Sequence, residues 1–218
     1  MDAGRTEIIN QALLFANQDT ILDPEGESKN AKLCAQFYDV TLQEALSGHP
    51  WSFALVAAQL QQLAKIPKDI RFQYAYQLPA NFGHMQQAAI SLWDAHSDQE
   101  EIMSRVYDMQ YFGDRANSIP IPEYVIQGKE LLSNWTSIQV VYSRTDVKPY
   151  EMTPQFRSYL AALLASKLYI KLTGGADGFQ NLQKQMLLLR QEARHTDSDQ
   201  MDTMRVNRPN LFVRAREY

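Results

Sequence analysis

A single cysteine, Cys34, stands in this chain of 218 residues, so no internal disulfide can form and a small stapled secreted fold is excluded. No apolar run approaches the roughly 20 residues that a membrane-spanning helix requires. The charges within Met1–Arg5 are not followed by a long apolar region, which argues against a signal peptide. Basic residues are in deficit too: the formal net charge of −4 counts against a protein that grips nucleic acid through a basic surface. The expectation is a soluble chain made in a reducing cytosol, large enough for a sizeable core.

Motifs that carry chemistry are equally scarce. The four histidines, His49, His84, His96 and His195, are scattered, and none has a partner at metal-ligand spacing. His49, just before a proline, reads as a turn or surface group. Gly174-Gly175 follows a helical stretch and lacks the Lys-Ser/Thr of a phosphate loop, so it reads as a helix cap. Glu100-Glu101 and the pair Asp197/Asp199 read as carboxylates close only in sequence, in polar, solvated surroundings, whereas glycoside hydrolysis needs two opposed carboxyls, one with its pKa raised by burial. Cys34 falls on the apolar side of a helix and reads as a small core residue. The sequence therefore predicts no catalytic residue, no cofactor and no metal.

What the chain does contain is periodicity. A first helix is expected from about Arg5 to Ala16. A second, capped by Ser28 or Asn30, runs to about Ser47, with Ala31, Cys34, Ala35, Tyr38, Leu42, Ala45 and Leu46 at three- and four-residue steps. At Gly48-His49-Pro50-Trp51 the period falls from about 3.6 to 2, which predicts a helix stopped by a left-handed Gly48 and by Pro50, then Trp51 and Phe53 on one face of a strand. Phe72, Tyr74, Tyr76 and Leu78 alternate with polar or small residues as a half-buried strand should, Asn81-Phe82-Gly83 reads as a turn, and Ala88 to Trp93 as another strand. A hairpin over Gly128-Lys129 and a strand carrying Ile138, Val140 and Tyr142 follow. Thr153-Pro154 caps a third helix with little polar face, ended by Gly174-Gly175, and a fourth spans about Ala176 to Arg194.

These elements predict an α+β chain. An antiparallel four-helix bundle carries an inserted β-rich hairpin or small sheet, and an extended C-terminal tail follows. The expected boundaries are residues 1–50 and 146–198 for the bundle, 51–145 for the insertion and 199–218 for the tail. In that tail Arg205, Arg208, Arg214 and Arg216 alternate with Pro209, Leu211, Phe212 and Tyr218. Arginine mixed with large apolar groups suits a segment that orders on a partner surface.

The order of motifs resembles one known family. Ala45-Leu46-Ser47-Gly48-His49-Pro50-Trp51-Ser52-Phe53-Ala54, followed by Tyr74-Ala75-Tyr76-Gln77-Leu78-Pro79, is similar to the head-to-tail adaptors (tail tubular protein A, a gatekeeper or connector) of short-tailed bacteriophages. Asn30, Ala31 and Tyr38, the strand at Ile138–Tyr142, Phe156 with the Leu/Ala-rich third helix, and the long helix ending near Ala193-Arg194 and Asp197 extend the likeness over about Thr6 to Asp199. Residues 94–119 match no part of the pattern. The resemblance implies a structural virion protein, assembled in the host cytoplasm and located at the head–tail interface. Such proteins form a dodecameric ring beneath the portal protein, prolong the DNA channel without sequence-specific binding or membrane insertion, and give the tail nozzle its platform during DNA ejection. It assigns Gly48, His49, Pro50, Trp51 and Phe53 to a structural junction and the tail residues to portal binding. A tail-borne cell-wall or polysaccharide hydrolase is the alternative, and a DNA-binding helical regulator is disfavoured by the charge and by the lack of a recognition helix.

Overall fold

The computed structural model describes residues 3–90 and 124–206. The chain divides into two compact units, Met1–Ala54 with Thr145–Tyr218, and Leu55–Arg144.

The first unit is helical. Helix α1 spans Ala3–Phe15 and α2 spans Lys29–Ser47, whose Ser28 hydroxyl accepts the Ala31 N–H as an N-cap. Helix α3, Pro154–Thr173, begins with the Thr153 hydroxyl accepting the Phe156 N–H and ends at a left-handed Gly174. Helix α4 covers Phe179–Val206. Helix α3 is the hub. Its Phe156, Leu160, Ala161, Leu164, Ala165 and Leu168 are almost wholly enclosed, and α1, α2 and α4 each pack against it. Helices α1 and α2 meet each other only slightly.

This corrects the expected antiparallel four-helix bundle with one small inserted sheet. Among the described residues the protein is mixed α+β, with three α-helices clustered on a central fourth and seven strands in two antiparallel sheets. The physical reason lies in α3: a helix apolar on nearly every side buries more surface encircled by its neighbours than as one corner of a square bundle.

The junction is also corrected. Trp51 and Phe53 do not lie on a strand. Pro50 is followed by a short 3₁₀ turn, Ser52–Ala54, closed by the Ala54 N–H donating to the Trp51 carbonyl at 2.9 Å. Both rings belong to the helical core. Trp51 stacks edge-on against Phe156 (4.8 Å between centroids), and Phe53 does the same at 5.0 Å. Gly48 is right-handed (φ −77°, ψ −10°), so the helix stop needs no positive φ there. Nor does the chain become extended at Asp199: α4 continues to Val206, and residues 207–218 lie outside the described part.

The second unit is built of strands β1 Leu55–Gln59, β2 Gln61–Gln62, β3 Tyr74–Gln77, β4 Phe82–Ile90, β5 Tyr124–Gln127, β6 Glu130–Ser133 and β7 Ile138–Arg144. One sheet runs β1-β7-β4 and the other β2-β3-β6-β5, all antiparallel. Leu60 carries the chain from one sheet to the other, its N–H donating to Ile138 while Leu63 donates to Ala75. Leu60, Tyr76, Leu78, Leu131, Ile138, Val140 and Tyr142 form the main cluster. A smaller one, Phe72, Ala75 and Leu132, uses the opposite faces of β3 and β6. The hairpin expected over Gly128-Lys129 joins β5 to β6, with Gly128 at φ +63°. Asn81-Phe82-Gly83 is not purely a turn: β4 already starts at Phe82, and a register shift between Phe82 and His84 absorbs Gly83. The strand expected at Ala88–Trp93 is thus the end of β4 as far as Ile90. Glu100, Glu101 and residues 94–119 lie outside the described residues.

Candidate functional site

Backbone geometry at the exit of α2 gathers a set of polar groups that the sequence alone keeps far apart. After Gly48 the chain turns through His49-Pro50 into the 3₁₀ turn, leaving the Ser52 N–H without a partner in its own segment. That partner comes from α4. Asp197, whose side chain is 1% exposed, accepts the Ser52 N–H at 3.0 and 3.3 Å and the Ser52 hydroxyl at 2.6 Å. Its Oδ2 also lies 3.2 Å from His49 Nε2. Arg194, one helical turn before Asp197, donates through Nη2 to the Gly48 carbonyl. Trp51 completes the knot: its Nε1–H donates to the Ala45 carbonyl at 2.9 Å and the His49 ring meets its edge at 4.7 Å.

The electrostatics favour a neutral His49. Partial burial lowers its pKa below the ordinary histidine value. The charge and hydrogen bond of Asp197 pull the other way, and the cations Arg194 and Arg190 add to the lowering. A neutral ring donates to Asp197 only with its proton on Nε2. The carboxylate therefore has three donors, as a buried charge requires.

Serine, histidine and aspartate in one cluster invite comparison with a hydrolytic triad, and the order is wrong for one. A triad places the imidazole between serine and carboxylate so that it can take the serine proton. Here the carboxylate is in the middle and the Ser52 hydroxyl points its proton straight at it. The arrangement fastens α4 to the chain leaving α2. Cys34 is no better placed as a nucleophile, being fully enclosed on α2 with its thiol pushed up to about 11 by burial. Among the described residues no group of three or more His, Cys, Asp or Glu side chains could hold a metal ion, and no helix is long and apolar enough to cross a membrane.

The junction residues Gly48, His49, Pro50, Trp51 and Phe53 thus come together with Ser52, whereas nearly all of the partner-binding set falls outside the described residues. Arg205 falls on the last turn of α4, and Arg208, Pro209, Leu211, Phe212, Arg214, Arg216 and Tyr218 lie outside the described residues. Sequence reasoning placed Asp197 in solvent. A signal was present: Leu182, Met186, Leu189 and Ala193 form the inner stripe of α4, and one further step of four lands on Asp197. An acid on an inner stripe implies a buried partner. Asp199, by contrast, is exposed and pairs with His195 at 3.0 Å. No family model and no curated protein matches this chain.

Proposed function

We propose that this protein is a structural component of a phage virion, a ring-forming head-to-tail adaptor that binds beneath the portal, prolongs the DNA channel and carries the tail nozzle. It performs no catalysis and takes no cofactor in this reading. The sequence resemblance supplies the candidate. The observation that supports it most is what the resembling stretch does: Ala45, Leu46, Trp51 and Ala54 are buried, and His49 and Ser52 are spent on Asp197. Groups that a hydrolase would aim at a substrate are turned inward as fasteners. The helical unit also exposes large apolar side chains, Leu14, Val40, Leu187 and Leu188, of the kind that neighbouring copies in a ring would cover.

The test is reconstitution. Purified protein mixed with portal rings and imaged by electron microscopy should give a second ring stacked on the portal. Hydrolysis of cell-wall polysaccharide with no portal binding would overturn the reading in favour of a tail-borne enzyme.

A further inference from the structure

Helix α4 sets an exposed leucine pair inside an ordered frame of charge. Its inner stripe, Leu182, Met186, Leu189 and Ala193, faces the core. At 3.6 residues per turn the outward line then runs through Lys184, Leu188, Gln191 and His195. Leu188 is 65% exposed there and Leu187 beside it 50%. A single exposed leucine is ordinary on a protein surface. Here two adjoin, and the row of every fourth residue through Leu188 reads Lys184-Leu188-Glu192, all three exposed. Neither charge is committed. Among the described residues Lys184 and Glu192 make no ion pair, whereas the next acid on this side, Asp199, is matched by His195 at 3.0 Å.

The order cation, leucine, anion is self-complementary. Rows of every fourth residue form ridges on a helix, and two helices pack most often with such ridges interdigitated, their axes crossing at about −50°. When a second α4 crosses in the opposite direction with Leu188 at the crossing point, each row runs antiparallel to its own copy. Lys184, one turn and about 6 Å from Leu188, then lies beside Glu192 of the second copy, and the two-fold axis repeats that pairing on the other side. Leu187, on one flank of the row, meets its own copy. Sliding the helices by one turn either way sets Leu188 against Lys184 or against Glu192, so the charges select one register. A parallel crossing sets Lys184 beside Lys184 and Glu192 beside Glu192. An anionic lipid surface is opposed by the acids Glu192 and Asp199 on the same side.

We infer that the outward face of α4 docks a second copy of this chain, as an antiparallel helix pair centred on Leu188 and closed by two Lys184–Glu192 ion pairs. Such a contact is isologous and ends at two copies, so it belongs to the free chain and not to a ring, and it stands independently of the adaptor reading. A lone helix crossing covers less than the roughly 1,200–2,000 Å² of a standard stable interface, which makes the pair weak and dependent on concentration.

Sedimentation equilibrium of the full chain over about a 100-fold range of concentration should show the mass rising from one copy towards two. L187S/L188S should remain a single copy while melting as the wild type does in dilute solution. K184E and E192K each bring like charges together and should weaken the pair roughly tenfold at low salt and less at high salt. K184E/E192K exchanges the two charges and should restore pairing, and a mixture of the single variants should form a heterodimer, since each supplies the charge that the other lacks. A wild type that stays a single copy throughout overturns the inference, as do oligomers larger than two. So does a charge exchange that fails to restore pairing. A lowered melting temperature of L187S/L188S in dilute solution also overturns it, by showing that the two leucines are covered within the chain itself.

Discussion

The two units spend their buried residues differently. The helical unit gathers one continuous core around α3, and its polar fastening joins residues distant in sequence, Asp197 to Ser52 and His49. The β unit divides its apolar residues into two small clusters, and beside the local β5–β6 hairpin it pairs strands far apart in sequence, β1 with β7 and β3 with β6. The first is robust in bulk yet concentrated on a few central groups. The second has less core to share and leaves side chains such as Ile66 and Ile70 exposed. A core is a shared resource, whereas a hairpin is a local one.

The sharpest test of that contrast is Trp51→Ala. Trp51 is 1% exposed amid Phe53, Phe156 and Tyr159, so its loss should cost the helical unit about 3–5 kcal/mol. In urea, helical circular dichroism should then fall at lower denaturant, while fluorescence of the remaining tryptophans, Trp93 and Trp135, both within residues 55–144, keeps its midpoint. Coincident shifts would break the comparison by showing that the units unfold together.

A smaller effect is expected at the fastening. Asp197→Ala strands the Ser52 N–H and should cost about 1–3 kcal/mol. His49 adds a pH dependence. Its folded pKa is depressed below the unfolded value of about 6.5, so as pH falls the unfolded chain takes up the proton first. The stability it contributes is complete above that value and is lost as pH drops through it towards the folded pKa. Urea midpoints at pH 7.5 and pH 5.5 should therefore differ more for the wild type than for His49→Gln; an equal difference would show that the ring titrates as it does in the unfolded chain.

The smallest effect should be Gly48→Ala. The residue is right-handed, and a Cβ would meet Ala45 O at 3.6 Å and Arg190 Nη2 at 3.7 Å, ordinary contacts. A gain of about 0.4–1 kcal/mol is expected from the stiffer unfolded chain. A loss on the same denaturation curve would mean that Arg190 and Arg194 need the bare backbone.

How much of this was legible follows from where each signal resides. The caps of α2 and α3 are local, so Ser28, Thr153-Pro154 and Gly174 marked those ends in sequence. The alternation of Ile138, Val140 and Tyr142 marked β7 for the same reason. The end of α4 was hidden because Thr196 to Val206 is mostly polar, and the part seen to be held inward is held by Asp197, whose partners lie near the other end of the chain. Gly48 misled because glycine permits a left-handed cap without requiring it. Trp51 and Phe53, two apart, imitate a strand, and only the hydrogen bond to Asp197 shows why the chain coils there instead. Clustering around α3 was readable as an apolar helix but not as an arrangement, since periodicity reports which face is buried and not against what.

The pairing of β1 with β7 places Leu55 opposite Ser143. The points at which the chain leaves and rejoins the helical unit are thus next to one another on adjacent strands. Once that pair has formed, the whole of residues 55–144 behaves as a closed loop of negligible span between α2 and α3. The entropy otherwise needed to bring the two halves of the helical core together, up to about 4 kcal/mol for a loop of this size, is then already met. The neck at Leu55 and Ser143 would act as a timing device in folding: a nascent chain that zips it early assembles its helical core as though the insertion were a short turn, however long the insertion becomes.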